Sequence, residues 1–388
     1  MSRVAVYAFS GDPITFGHIH IIERAVRAFD QVIVAIGRNP QKHYLFSLEE
    51  RVAMAASALG HLPQVLVKPF TGLLVDYAQE QGAQFIIKGV RNSTDFDYEN
   101  ALFQVGESQK AGVDTMILLA RPNLAHISSS IVKAVQAEHG FIHEYVPLPV
   151  KQALEWKISG QVLLGISGEV GSGKSFIGKK FRQWGQELGL TVWPIELDQI
   201  AQGILEEYTE PYYVAVREEL VARFGRPIRD KRGFIKRKEL GNVVFQDPGQ
   251  LNALNRILEK PVLLRLKKEL QDKGGLVLLN SALLMEADLA PLSNNCLILV
   301  RVDKATQARR LAERGLSELQ IRHRLESQLS YELKSQLLED RMRADRFGLR
   351  WDFDNSDPVD EVGLRELFLR VVADIHLPIS SEAALPKE

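Results

Sequence analysis

Three short runs carry the residue types and spacings that do phosphate chemistry. In GEVGSGKS, Gly168, Gly173, Lys174 and Ser175 fit GxxxxGK[ST], with Gly171 and Ser172 inside the loop. Glycines at that spacing let backbone N–H groups curl around phosphate oxygens with no Cβ in the way, and a helix beginning at the lysine adds its dipole. Lys174 is then set to reach β- and γ-phosphates, and the Ser175 hydroxyl to ligate Mg²⁺. In SGDPITFGHIH, Thr15, Gly17 and His18 form a TxGH arrangement. A histidine at a helix start, in the mouth of an open α/β sheet, donates to a phosphate oxygen. In HISSSIVKAV, Ser128, Ser129 and Ser130 stand at another helix start, where they either bind phosphate or serve as a plain serine N-cap cluster. His18 and His20 lie two apart, but no third ligand follows at a suitable spacing, so no metal site is expected there.

These runs need strands behind them. VAVYAF, QVIVAI, QVLVKPF, FIIKG and DTMILLA read as buried strands separated by amphipathic stretches, a repeated βα pattern that predicts a parallel sheet. Ser47 and Glu50 predict a capping box with Gly60 as the stop. In YVPLPV, Pro147 and Pro149 are expected to end regular structure before a short amphipathic piece through Trp156. A new strand, QVLLGIS, begins at Gln161, and LVLLN, CLILVRV and WDFDN follow as strands. Between them, residues 250–273 and 304–328 read as long charged helices, a final helix follows WDFDN, and residues 377–388 read as a disordered polar tail.

The chain has 388 residues, which at roughly 150 per domain predicts two domains. Hydrophobic residues at 45% and charged residues at 25% exclude a disordered or fibrous polypeptide. With 48 basic and 49 acidic residues, the net charge of −1 gives no electrostatic case for nucleic acid or a membrane surface, so phosphate must be met locally. One cysteine, Cys296, cannot form an internal disulfide or a multi-thiolate metal site. No basic segment with an apolar signal core opens the sequence, and no uncharged apolar run reaches the ~18 residues that span a bilayer. A cytoplasmic protein is expected.

Beyond the phosphate loop, IELDQIAQ, FGRPIRDKRGFIKRKEL, VVFQDPGQLNALNRILEKPV, LVLLNSALLMEADL and RRLAERGLSELQIRHRLESQ follow in order across residues 161–375, and this half resembles dephospho-coenzyme A kinase. That family moves the γ-phosphoryl of ATP to the ribose 3′-hydroxyl of dephospho-coenzyme A. The resemblance makes Asp198 the base for that hydroxyl, where the residues alone equally allow a helix N-cap. It also makes Arg310 and Arg314 lid residues near the phosphates and places Arg324 on the substrate. The sequence departs from the family at Glu196 (usually Asp), Gln202 (usually Arg) and Gly315 (usually Asp), and has Asn280, Ala282 and Leu283 where the family has DxPLL. A catalytically silent, regulatory or structural nucleotide-binding module is therefore the alternative for this half.

The TxGH run together with NPQKHYLFSLEER, TGLLVDYAQEQGA, IIKGVRNSTDFDYE and VPLPV closely resembles phosphopantetheine adenylyltransferase over residues 3–154. That family joins 4′-phosphopantetheine to the adenylyl group of ATP and releases pyrophosphate without a covalent enzyme intermediate. The resemblance implies that His18 donates to the α-phosphate among the cations Lys42, Lys88 and Arg91. It implies that Ser10 and Thr15 lie at the nucleotide and the attacking phosphate, and that Ser128, Ser129 and Ser130 hold the β- and γ-phosphates, bridged by Mg²⁺. Tyr98 and Glu99 match a nucleotide-side segment, and Leu73 and Leu74 the wall along the pantetheine arm. The family's first loop reads GSFDP, whereas this chain has Phe9, Ser10, Gly11, Asp12 and Pro13; Lys88 stands where Arg is commoner, and His20 where an acidic residue is.

The product of the first reaction is the substrate of the second. The combined expectation is an α/β protein with a Rossmann-like nucleotidyltransferase sheet over residues 1–157 and a P-loop kinase sheet with a helical lid over residues 158–376. It carries out the last two steps of coenzyme A synthesis, uses ATP and Mg²⁺, yields coenzyme A and forms a homo-oligomer through the first domain.

Overall fold

The structure is a computed structural model that describes residues 2–39, 41–244, 247–315, 317–326 and 328–375. The chain divides into two compact units, Met1–Ile158 and Ser159–Glu388. Among the described residues, no helix is long and apolar enough to cross a membrane. Residues 377–388 lie outside the described residues.

In the first unit, five strands run β1 Val4–Phe9, β2 Gln31–Ile36, β3 Val65–Pro69, β4 Phe85–Val90 and β5 Asp114–Leu119. All pair in parallel, in the order β3-β2-β1-β4-β5. Period-two alternation feeds both faces of the sheet. Ala5, Tyr7, Val32, Val34 and Ile87 pack on one side, and Val6, Ile33, Ala35 and Ile86 on the other. The chain leaves β1 toward β2 and returns to its other side at β4, so a crevice opens at the carboxyl ends of β1 and β4. The helix Leu48–Leu59 has the capping box at Ser47 and Glu50, and Gly60 caps it with ordinary right-handed backbone. Pro147 and Pro149 do the opposite of what their sequence suggests. Pro147 is the N-cap of helix Leu148–Leu154 and Pro149 lies in its first turn, where a missing N–H costs nothing.

In the second unit, β6 Gln161–Gly168, β7 Val192–Glu196, β8 Gly275–Asn280, β9 Cys296–Arg301 and β10 Leu349–Asp354 form a second parallel sheet, in the order β10-β9-β6-β8-β7. Its three central strands, β6, β8 and β9, are nearly continuous apolar runs because both faces are covered. Trp184, Trp351 and Phe368 fill one face, and the Trp193 indole bonds the Gly274 carbonyl at 2.8 Å, whereas Trp156, at the end of the first unit, is exposed. β7 is a strand that the hydrophobic pattern did not reveal. It contains Pro194, which a sheet tolerates because β7 is an edge. The stretch 304–328 is two helices, Lys304–Glu313 and Glu318–Glu326, not one. Arg314 caps the first and Gly315 turns the chain at φ 78°.

Candidate active sites

The first site is a cavity of about 550 Å³ at the carboxyl ends of β1 and β4, within the range of small-ligand pockets. Ser10, Thr15, Gly17 and His18 reach it from the loop and helix after β1, and Lys42 from the segment after β2. Lys88, Arg91 and Glu99 reach it from β4 and the helix after it, and Ser128, Ser129 and Ser130 from the start of helix Ser129–Ala137. Leu74 lines both this cavity and a smaller apolar one of about 130 Å³ beside it, where Leu73 also lies.

His18 is the third residue of helix Phe16–Ala25, capped by Thr15. The Thr15 backbone N–H donates to His18 Nδ1 at 3.1 Å, and Thr15 Oγ1 lies 2.9 Å from the same nitrogen. A ring that accepts at Nδ1 and is neutral carries its proton on Nε2, ready to donate. Burial, then the Arg91 and Lys42 charges, lower its pKa to about 4, so the ring is neutral at physiological pH. The cations are tethered by carboxylates: Lys88 to Glu99 at 2.7 Å, and Arg91 to Asp95 at 2.8 Å. Of the serines, Ser128 accepts from the Ile131 N–H as the N-cap and Ser129 donates to the Pro13 carbonyl, so both hydroxyls also have structural partners.

The second site gathers at the carboxyl ends of β6, β7 and β8. The phosphate loop leads from β6 into helix Lys174–Glu187, with Gly173 as N-cap. Lys174 is buried and bends back on the loop, donating to the carbonyls of Gly168 and Glu169 at 3.1 Å each. Burial lowers its pKa to about 8 against the opposing pull of Asp198. Ser175 donates to Glu196 at 3.0 Å, and Asn280 Nδ2 donates to the other Glu196 oxygen at 2.7 Å. The pKa of Glu196 is raised by burial. Asn280 Oδ1 is buried and without a hydrogen-bond partner among the described residues. Asp198 is in the first turn of helix Leu197–Glu206, whose N-cap is Glu196, so capping is not its role; it accepts from the Ser281 hydroxyl at 3.3 Å. Arg310 and Arg314 line a cavity of about 330 Å³ beside Gly173, with Arg310 paired to Asp357 at 2.8 Å. The Arg324 side chain lies outside the described residues.

Comparison with known proteins agrees with this geometry. Residues 10–135 match the cytidylyltransferase-like family model, and residues 162–345 match the model of dephospho-CoA kinase. A phosphopantetheine adenylyltransferase of Geotalea daltonii is 44% identical over 157 residues, covering 40% of this chain and 98% of that protein. Its counterpart in Geobacter sulfurreducens is 44% identical over 159 residues, covering 41% and 97%. The chain belongs to the phosphopantetheine adenylyltransferase family. Its second half is a dephospho-CoA kinase domain. A crystal structure of TT1252 from Thermus thermophilus is 26% identical, covers 55% of this chain and 97% of that one, and superposes with a TM-score of 0.42.

Several residues of the adenylyltransferase unit escaped the sequence reading. Arg51 is buried; it donates to the carbonyls of Ser10 and of Gly37, the latter at 2.8 Å, and lies 4.1 Å over the Tyr44 ring. Asp12 accepts from the Leu45 and Phe46 N–H groups and pairs with Lys133 at 2.5 Å. Tyr7 and Phe9 line the cavity from one face of β1 at its carboxyl end. In the kinase unit, Asn355 donates to the Ser172 carbonyl at 2.7 Å and braces the phosphate loop from beyond β10. No local signal marks these residues, since Arg51 follows Glu49 and Glu50 as one more charge in its helix and most of the contacts bridge segments far apart in sequence.

Proposed function

We propose that the chain carries out the last two steps of coenzyme A synthesis. In the first, a phosphate oxygen of 4′-phosphopantetheine attacks the α-phosphorus of ATP, a new P–O bond forms, and the bond to the β-phosphate breaks to release pyrophosphate. Catalysis is then positioning plus stabilisation of charge on the five-coordinate phosphorus. We assign the α-phosphate donor to His18 Nε2, supported by the Thr15 bonds to Nδ1 and by the low pKa of the ring. Lys42, Lys88 and Arg91 supply positive charge around it, and Ser128, Ser129 and Ser130 with their helix start receive the outer phosphates. The apolar cavity beside Leu73 and Leu74 suits the pantetheine arm.

In the second step, the ribose 3′-hydroxyl of dephospho-coenzyme A attacks the γ-phosphorus of a second ATP; its proton passes to Asp198 and ADP leaves. Lys174 and the loop amides take the phosphates, while Arg310, Arg314 and Arg324 cover them. Ser175, Glu196 and the unpartnered Asn280 oxygen are a hard oxygen set that fits Mg²⁺, which when bound neutralises charge on the phosphates. Asn280, one of the departures from the family, also holds Glu196 in place. Helix Ser93–Ser108 buries none of its residues and exposes Phe96, Tyr98 and Val105, which supports a homo-oligomer through the adenylyltransferase unit.

The single observation that carries the reading is the union, in one chain, of a family-wide match to the adenylyltransferase and a complete phosphate loop in a dephospho-CoA kinase domain. Feeding 4′-phosphopantetheine or dephospho-coenzyme A separately and resolving the products by chromatography tests it. His18→Ala is expected to lose pyrophosphate release by 100-fold or more and keep the kinase step; Lys174→Ala is expected to do the reverse. A wild-type chain that stops at dephospho-coenzyme A with ample Mg·ATP overturns the kinase assignment.

A further inference from the structure

The loop after β1 sets Phe9 and Gly11 on either side of Ser10. The Phe9 ring has a definite contact. Phe9 stacks on His18 with ring centroids 4.3 Å apart and planes 11° from parallel. Tyr7, two residues earlier on the same face of β1, lies 5.0 Å from Phe9 on its far side in sequence. Gly11 has φ 62°, and a Cβ there would come within 3.3 Å of the Phe9 ring and 3.2 Å of Ile36. The room above Gly11 is thus already taken by Phe9.

Two sets of contacts therefore constrain the imidazole. Thr15 holds one edge through Nδ1, and Phe9 covers a face. Thr15 alone leaves the ring free to tilt about its hydrogen bonds; the parallel stack removes that freedom, since a small tilt forfeits the contact of two flat rings. We propose that Phe9 is the positioning residue for His18 in adenylyl transfer, its stacked ring fixing the plane in which Nε2 is presented to the cavity, and that Gly11 is the space-making companion, so that positions 9 and 11 act as a unit. This rests on the assignment of His18 as the α-phosphate donor. The stack also shields the ring from water, in the same direction as the burial that lowers its pKa to about 4, with Arg91 and Lys42 as the charged groups acting on it.

The test uses the full chain. Phe9→Leu is expected to lower kcat for pyrophosphate release tenfold or more while KM for 4′-phosphopantetheine stays within about threefold, and Phe9→Tyr, which keeps a flat ring, to retain most of the rate. In chains carrying ¹⁵N-histidine, the wild-type His18 signals should show Nδ1 unprotonated and Nε2 protonated from pH 5 to 8. Phe9→Leu should mix the tautomers or raise the titration midpoint. Phe9→Gly combined with Gly11→Phe should lose less activity than the product of the single losses. A rise in KM with kcat intact makes Phe9 a substrate contact and overturns the proposal, as does an unchanged His18 nitrogen spectrum in Phe9→Leu. Should the wild-type chain release no pyrophosphate, the function reading fails, and the nitrogen spectra still decide whether Phe9 sets the ring.

Discussion

His18 and Lys174 are both assigned to phosphate, and burial acts on the two in the same direction. Each is pushed toward its neutral form, to about 4 for the imidazole and about 8 for the ammonium. For His18 this leaves a neutral donor throughout the physiological range. For Lys174 it leaves the ammonium only partly protonated near pH 8 while it bonds to the loop carbonyls. An arriving triphosphate brings negative charge and raises that pKa back toward its ordinary 10.5. The sign follows directly: nucleotide binding to the kinase unit at pH 8 takes protons up, by about half a proton from Lys174 alone. Calorimetry of ATP binding in buffers of different ionisation enthalpy should detect this uptake, and Lys174→Met should remove it. Burial also raises the pKa of Glu196, and a bound cation would act in the opposite direction by favouring its charged form.

Elements place these residues through contacts that the linear sequence barely hints at. Arg51 sits in the first turns of a helix just after Glu49 and Glu50, and its guanidinium reaches back to the Ser10 and Gly37 carbonyls, at the starts of the loops after β1 and β2. Truncating it removes the side-chain donor from both carbonyls. Arg51→Met should therefore destabilise the adenylyltransferase unit by about 3 kcal/mol, read as a lower melting temperature, with weaker 4′-phosphopantetheine turnover and an unchanged kinase rate. The phosphate loop was legible because its chemistry is local: the eight residues from Gly168 to Ser175, fixed by chain geometry, flanked by a strand and a helix. The strands of the first sheet were legible for the same reason, since alternation marks each one separately. β7 was hidden because Pro194 breaks the pattern, and only its edge position makes that proline harmless. The helix break at Gly315 was hidden because charged residues continue on both sides, while the prolines at 147 and 149 misled because a proline opens a helix as readily as it closes one. The Asp12–Lys133 pair joins residues 121 positions apart, and no local rule exposes such a pair.

Across the whole molecule, each site draws its described residues from one unit only: Tyr7 to Ser130 in the first, Gly168 to Val359 in the second. Dephospho-coenzyme A made at one site must reach another, and nothing in the construction of either site requires that other to be on the same chain. An equimolar mixture of His18→Ala and Lys174→Ala chains is therefore expected to restore conversion of 4′-phosphopantetheine to coenzyme A, with a lag while the intermediate accumulates in solution. Failure of the mixture, with each variant keeping its remaining half-reaction, would mean that the intermediate is handed over without release. The near-zero net charge fits this arrangement, because the proposed phosphate ligands are a few local cations and loop amides and not a basic surface.

The tryptophans are distributed unevenly between the two units. Trp184, Trp193 and Trp351 all belong to the kinase sheet and its covering helices, whereas the adenylyltransferase unit has only Trp156, which is exposed. Light absorbed at the red edge of the protein band is thus emitted mainly from one half of the molecule. The buried emitters, Trp184 and Trp351, should fluoresce at short wavelength and shift to the red only when the kinase core opens, so a single optical signal can follow the unfolding of that half over the constant, already red emission of Trp156.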